Sequence, residues 1–263
     1  EPHYFLRDIG IERIPEGVGE KAAYFNLFSE GSGYKYKGEA SVLYLGYYKY
    51  SIPAIRKELG DDVKIIIMLR NPVDRCYSAY QHVKRYNPLE NLTFREALDK
   101  DDVRLQEAIN MTPAARYKYL GLYHDMVCAF QESFSDVHVI IYEDFIKDIN
   151  QGLSEVFDYL DLPYQNIDVS SSYMVGGWEW KFSVIKRVLL KKNVLKSTLK
   201  NILPKLVRHK IRSTMMKMST RKVDNIPLKE KQELNGSEWG WYQIFAHQSN
   251  NNKYKNIFGG ESI

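Results

Sequence analysis

Two stretches of the chain are almost continuously apolar and rich in β-branched residues. The first, VKIIIML, runs from Val63 to Leu69 between GDD and RNP, and the second, VHVIIY, runs from Val137 to Tyr142. Runs of this length and makeup are typical of strands that are buried on both faces, as in a parallel sheet. We therefore predict two central strands at these positions.

Segments with apolar residues at helical spacing lie on both sides of the predicted strands in the sequence. YSIPAIRKELG predicts a short helix that stops at Gly60, and another helix begins at Pro72, where the first turn tolerates a missing N–H. The sequence TFRE has the form of a capping box and places a helix start near Thr93. Apolar stripes also predict a long helix from about 113 to 134 and a further one over EDFIKDINQGLSEVFDYLDL. Strands that alternate with helices indicate an α/β fold with a parallel sheet.

The remaining stretches predict less regular structure. The first forty residues mix Tyr, Phe and Gly without a clear period, which indicates loops with short elements. Residues 161–180 are predicted to form an extended loop, in which Trp178 and Trp180 either stack on a ligand or, as we favour, pack against the protein. Beyond it, basic residues alternate with apolar ones, as in an amphipathic helix broken near Pro204.

Charge is distributed unevenly along the chain. The segment from Lys181 to Lys222 contains 14 Lys and Arg and no Asp or Glu, whereas the rest of the chain has a net charge of −10. This basic segment could gather an anionic carbohydrate or contact an anionic membrane surface. The interpretation we favour is that its apolar stripe covers the sheet while its lysines face water. No recognised binding motif accompanies the charge, so we expect no nucleic-acid partner.

Composition narrows the class of protein further. A chain of 263 residues with 44% hydrophobic content can bury a sizeable core, and we predict one domain over residues 1–263. No apolar run approaches the roughly 18 residues of a membrane span. Cys76 and Cys128 belong to no metal-binding pattern, which favours free thiols in a reducing compartment such as the cytoplasm. The six histidines are scattered, so no zinc site is predicted.

The most informative stretch for chemistry is MLRNPVDRCYSAY, residues 68–80. Arg70 ends the first predicted strand, and ligands of parallel sheets bind outside the carboxyl ends of the strands. The helix that opens at Pro72 offers partial positive charge and free amides, and Ser78 offers a hydroxyl. Together these groups describe a phosphate site, although the same residues could form an ordinary strand-to-helix turn.

LRNPVDRCYSAY resembles the 3′-phosphate-binding signature of sulfotransferases that use 3′-phosphoadenosine 5′-phosphosulfate (PAPS). Three further segments are similar to that family in the same order: EPHYFLRD, YKGEASVLYL, and YLGLYHDMVCAFQESFSDVHVIIYEDF. The resemblance covers most of the chain through about residue 162. It implies a sulfotransferase fold, with a P-loop-like parallel sheet flanked by helices. It also implies that Arg70 and Ser78 bind the 3′-phosphate of PAPS or of 3′-phosphoadenosine 5′-phosphate, and that no metal is required.

One motif of the family has no counterpart in this sequence. The family's Gly-rich loop, of the form Pro-Lys-x-Gly-Thr-Thr, holds the 5′-phosphosulfate, and no such loop occurs here. SEGSGYKYKGEAS contains glycines and lysines but lacks the motif and a preceding strand, so we reject it as the phosphate loop. We therefore expect the first βα unit of the fold to be missing from this sequence. In heparan-type members the catalytic base is a glutamate that matches Glu1, and a histidine two positions later matches His3. The resemblance therefore implies Glu1 as the catalytic base, with His3 as an alternative base or as its helper.

The resemblance implies an enzyme that transfers a sulfuryl group from PAPS to a hydroxyl-bearing acceptor, for which an anionic carbohydrate is a candidate. Because the phosphosulfate loop does not occur in this sequence, we expect little activity from this chain alone. A nucleotide or sugar kinase is disfavoured because the chain lacks a Walker loop and magnesium carboxylates. The alternative from another class is a non-catalytic sulfotransferase-like protein that binds a polyanion or an anionic membrane through its basic segment. The Golgi lumen replaces the cytoplasm as the expected location if the chain is a eukaryotic member with an upstream anchor.

Overall fold

The computed structural model describes residues 1–9, 14, 17–107, 111–170, 177–182, 214, 218–223, 226 and 231. Within them, the α-helices are α1 (Lys21–Asn26), α2 (Leu43–Gly46), α3 (Tyr48–Leu59), α4 (Pro72–Tyr86), α5 (Phe94–Asp99), α6 (Arg104–Glu107), α7 (Tyr123–Ser133), α8 (Tyr142–Lys147) and α9 (Ile149–Tyr159). The strands are β1 (Lys64–Leu69), β2 (Asp136–Ile141), β3 (Trp178–Trp180) and β4 (Thr220–Lys222). Short 3-10 helices cover Tyr4–Ile9, Ser29–Gly31, Pro113–Ala115 and Tyr119–Gly121. The basic amphipathic helix and the tail lie almost entirely outside the described residues.

The two central strands pair in parallel, as the sequence predicts. Lys64 of β1 is the register partner of Asp136, and Leu69 is the partner of Ile141, so both strands end at the same edge. Ile67 and Leu69 belong to a core shared with α3, α4 and α7. The prediction that both faces are buried is wrong for β1, because Ile66 and Met68 on the other face are 43% and 48% exposed.

Local start and stop signals place several helices correctly. Gly60 ends α3 with φ 81°, a backbone conformation that glycine adopts without a steric penalty. The capping box of α5 is complete, because the Thr93 side chain accepts the Glu96 amide while the Glu96 side chain accepts the Thr93 amide. Helix α4 begins at Pro72 as predicted.

The long helix predicted over residues 113–134 is wrong. The chain forms two 3-10 turns there, and only Tyr123–Ser133 is α-helical. The physical cause lies in another part of the chain. Both carboxylate oxygens of the buried Asp101 accept backbone amides, one from Lys118 at 2.9 Å and one from Tyr119 at 3.0 Å. These bonds satisfy the amides outside a helix.

Two other elements differ from their predictions. The helix predicted after β2 is divided into α8 and α9, and Asp148 caps the second of them by accepting the Gln151 amide. Trp178 and Trp180 lie in a short strand that pairs antiparallel with β4 rather than in a loop.

Both cysteines are free thiols, as predicted, and Cys76 is fully buried with its pKa raised by burial to about 11.

Candidate active site

The turn from β1 to α4 positions the first group of candidate residues. Arg70 follows the last residue of β1 directly, and Asn71 is the N-cap of α4. The Asn71 side chain accepts the amides of Val73 and Asp74, at 3.1 and 3.2 Å. The expectation that the helix offers free amides is therefore wrong for these two groups, and the helix contributes its dipole instead.

Arg70 is held by aromatic residues from two other elements. The hydroxyl of Tyr123 donates to the Arg70 carbonyl at 3.2 Å, and the Arg70 guanidinium carbon lies 5.1 Å from the centre of the Tyr142 ring. The Nε atom of Arg70 is buried without a hydrogen-bond partner in the described part of the chain. A buried guanidinium N–H with no acceptor is costly, which favours an anionic ligand at this position.

Ser78 lies in the second turn of α4 and is exposed. His82 follows one helical turn later, so both side chains lie on the same side of the helix. Burial and then Arg85 lower the pKa of His82, whereas the charge of Glu1 raises it.

The side chains of Glu1 and His3 lie in contact. The Nε2 atom of His3 is 3.1 Å from Oε2 of Glu1, and the Val42 amide donates to the same oxygen at 3.3 Å. The hydrogen bond from His3 holds the pKa of Glu1 below its usual value, and the Val42 amide acts in the same direction against the effect of burial. Glu1 is thus a carboxylate at neutral pH.

A network around Glu39 fixes the backbone beside this pair. Ser41 Oγ donates to one oxygen of Glu39 at 2.9 Å and accepts the His3 amide at 3.0 Å. The Tyr44 hydroxyl donates to the other oxygen at 2.6 Å and accepts the Phe5 amide at 3.3 Å. His3 has φ 48°, a left-handed conformation that costs a non-glycine residue about 1–3 kcal/mol and needs such support. These bonds indicate that Glu39 and Ser41 shape the loop.

Residues from the last third of the chain contact both ends of α4. At its C-terminal end, Arg85 Nη1 donates to the Trp178 carbonyl at 3.1 Å, and Trp180 Nε1 donates to the Arg85 carbonyl at 2.9 Å. At its N-terminal end, Lys231 Nζ lies 2.7 Å from Oδ2 of Asp74. The tryptophans therefore pack against α4, as we favour from the sequence.

Three residues beside Arg70 were not singled out from the sequence. Tyr123 donates to its carbonyl, Tyr142 lies under its guanidinium, and Glu143 accepts the next amide in the chain. Tyr142 and Glu143 could have been found by the reasoning that selected Arg70, because they follow the second parallel strand at the same edge of the sheet. Tyr123 begins a helix and carries no comparable signal.

Comparison with known proteins decides the family. The sequence model described as "Sulfotransferase domain" matches residues 51–233, which include Arg70, Ser78 and Lys231. The chain belongs to the sulfotransferase family. This sulfotransferase chain is similar to a sulfotransferase from Alicyclobacillus acidocaldarius of known crystal structure, with 33% sequence identity and a TM-score of 0.58. The match covers 66% of this chain and 73% of the other. No curated protein matches the sequence significantly.

The family and the α/β class are thus confirmed for this sulfotransferase chain. The roles of Arg70, Ser78, Glu1 and His3 stay predictions, as do the single domain over residues 1–263 and the absence of a first βα unit. Among the described residues, no helix is long and apolar enough to cross a membrane. In the same part of the chain, no group of three or more His, Cys, Asp or Glu is arranged to hold a metal ion.

Proposed function

We propose that this sulfotransferase transfers a sulfuryl group from PAPS to a hydroxyl group of an acceptor, with a carbohydrate as the acceptor class. Family membership supports sulfuryl transfer in general. The donor is supported by the turn between β1 and α4, and the acceptor class by the resemblance of EPHYFLRD and YKGEASVLYL to carbohydrate-modifying members. When bound, PAPS supplies the activated sulfuryl group.

The residues of this chain have separate roles in the proposal. Arg70 pairs with the 3′-phosphate through its guanidinium, and Ser78 adds a hydroxyl hydrogen bond. Glu1 accepts the proton of the acceptor hydroxyl, and His3 holds the Glu1 carboxylate in place through their 3.1 Å contact. Sulfuryl transfer resembles phosphoryl transfer, because both reactions depend mainly on positioning of the reactants and on stabilisation of charge. Side chains held at fixed positions can supply both effects.

One observation carries the proposal. Arg70 stands at the carboxyl edge of the parallel strands, its guanidinium lies over Tyr142, and its Nε is buried with no partner among the described residues. Nε of Arg75, Arg85 and Arg116 is also buried without a partner among the described residues, but those three arginines donate to protein groups through their other guanidinium nitrogens. What sets Arg70 apart is its place at the carboxyl edge of the parallel strands, where ligands of such sheets bind.

The direct test is isothermal titration calorimetry with 3′-phosphoadenosine 5′-phosphate. Arg70→Ala is expected to weaken binding by about thirtyfold or more, because it removes a charge-assisted pair with the phosphate. Ser78→Ala is expected to weaken it by about fivefold, as for one neutral hydrogen bond. Arg95→Ala is the matched control, since Arg95 is exposed on α5 and faces Asp99 at 4.0 Å. Equal affinity for Arg70→Ala and Arg95→Ala would rule out the assigned phosphate site.

A further inference from the structure

We propose that Glu143 is a positioning residue that fixes the direction of the Arg70 side chain for anion binding. The proposal rests on the proposed function, because it assigns Glu143 a role in the same nucleotide site. Glu143 is the second residue after β2, and Arg70 is the first after β1. Since Leu69 and Ile141 are register partners, both residues lie just beyond the same edge of the sheet.

Glu143 acts on the peptide group that joins Arg70 to Asn71. Oε1 of Glu143 accepts the Asn71 amide at 2.9 Å, and the Tyr123 hydroxyl donates to the Arg70 carbonyl at 3.2 Å. Both polar groups of this one peptide are therefore bonded, each to a different element. Rotation of the peptide plane would break both bonds, so the backbone of Arg70 has one orientation.

The same peptide also sets the start of α4. Asn71 supplies the amide that Glu143 accepts, while its side chain caps the helix by accepting from Val73 and Asp74. A shift of Asn71 would therefore move the cap and the guanidinium of Arg70 together. The contact spans 72 residues of sequence, which makes it a tertiary clamp rather than a local feature of the turn.

Glu143 is poorly suited to touch the nucleotide itself. One of its carboxylate oxygens is engaged with the Asn71 amide at 2.9 Å. A carboxylate would also repel a phosphate at contact distance. The geometry therefore assigns it an indirect role, through the peptide and Arg70.

The first test needs no ligand. Hydrogen exchange of the Asn71 amide, followed by NMR, is expected to be at least tenfold faster in Glu143→Ala than in the unchanged chain. Glu143→Gln keeps an oxygen that can accept the amide, and its exchange rate is expected to stay within about threefold. Asp144→Ala is the matched control, because Asp144 is exposed and pairs with Lys147 at 2.7 Å. An unchanged rate in Glu143→Ala would show that the clamp does not form and would overturn the proposal.

The second test measures binding of 3′-phosphoadenosine 5′-phosphate at low salt, where phosphate contacts are strongest. Glu143→Ala is expected to weaken binding about tenfold, and Glu143→Gln no more than about threefold. In an Arg70→Ala background, Glu143→Ala is expected to add less than a twofold loss, because the side chain that it positions is gone. Comparable unfolding temperatures of Glu143→Ala and Asp144→Ala would confirm that the loss is not a folding defect.

The outcomes distinguish failure of the positioning role of Glu143 from failure of the proposed nucleotide site. If the unchanged chain and Arg70→Ala bind the nucleotide equally, the proposed function fails and the role of Glu143 fails with it. If Arg70→Ala weakens binding but Glu143→Ala has the same tenfold effect with and without Arg70, the nucleotide site stands and only the positioning role is overturned. Should Glu143→Ala fail to fold, Glu143→Gln decides, because a tenfold loss in this isosteric variant contradicts positioning by hydrogen bonding.

Discussion

Glu1 is kept charged by the residues that hold it. The hydrogen bond from His3 lowers the pKa of Glu1, and the Val42 amide assists. A carboxylate with a lowered pKa is available as a proton acceptor throughout the neutral range, but it is a weaker base than a carboxylate of higher pKa. If Glu1 is the base, His3 therefore contributes by fixing its position more than by raising its proton affinity.

Removing His3 should release this constraint. In His3→Ala, the pKa of Glu1 is expected to rise toward its usual value, because the largest cause of its depression is gone. The measurement is an NMR titration of carboxyl-labelled glutamate. Glu58 serves as an internal control, since its pKa is lowered by the hydrogen bond from Lys21 and should not move. An unchanged Glu1 titration would contradict the assignment. Where sulfuryl transfer is measured, the acidic limb of its pH profile should shift to higher pH in the same variant.

At the scale of elements, a buried ion pair joins α6 to the segment that follows α4. Nη2 of Arg104 lies 2.5 Å from Oε2 of Glu90, and the Tyr117 hydroxyl donates to the same oxygen at 2.5 Å. The two charged side chains are 3% and 0% exposed, so neither can be hydrated if its partner is lost. Burial and the charge of Glu90 both raise the pKa of Tyr117, which keeps its hydroxyl protonated as a donor.

Breaking this pair should destabilise the protein strongly. Arg104→Met leaves the Glu90 carboxylate buried and is expected to lower the free energy of unfolding by about 3–5 kcal/mol. Tyr117→Phe removes only one donor and is expected to cost about 1–2 kcal/mol. The double change Glu90→Leu with Arg104→Met should be less destabilising than Arg104→Met alone, because no charge stays unpaired. Urea unfolding measures all three, and a double variant that is less stable than Arg104→Met would contradict this account.

The sequence predicts those elements whose signals are local. Helix α4 was found because Pro72 and the spacing of its apolar residues lie within it, and Arg70 was found because it ends a recognisable strand. The helix predicted at 113–134 failed because Asp101 bonds to amides 17 and 18 residues away. The clamp on the Arg70 turn was missed for the same reason, since Glu143 is 72 residues from Asn71.

At the scale of the whole molecule, α4 connects the proposed nucleotide site to the last third of the chain. Its first turn pairs with Lys231 through Asp74, and its last turn contacts β3 through Arg85. Asp74 is a negative charge in the first turn of the helix that follows Arg70. Lys231 therefore neutralises a group that would otherwise disfavour an anion at this end of α4.

Lys231→Ala is accordingly expected to weaken binding of 3′-phosphoadenosine 5′-phosphate by about two- to fivefold, as for a partly exposed ion pair. Asp74→Asn in the same chain should restore most of the loss, and the effect should shrink at high salt because charges are then screened. Lys147→Ala is the control, since Lys147 pairs with Asp144 on α8 and is exposed. Calorimetry at two salt concentrations tests the prediction, and a loss that persists in high salt would contradict an electrostatic cause.

The parallel pairing of β1 with β2 has a consequence for how the chain is made. Register partners such as Lys64 and Asp136 are 72 residues apart. At synthesis rates of about 5–20 residues per second, β1 leaves the ribosome about 4 to 14 seconds before its partner exists. During that interval KIIIML is an unpaired, β-prone hexapeptide of the kind that associates with copies of itself. Lys64 at its start and Arg70 directly after its end are charges of the kind that oppose such association.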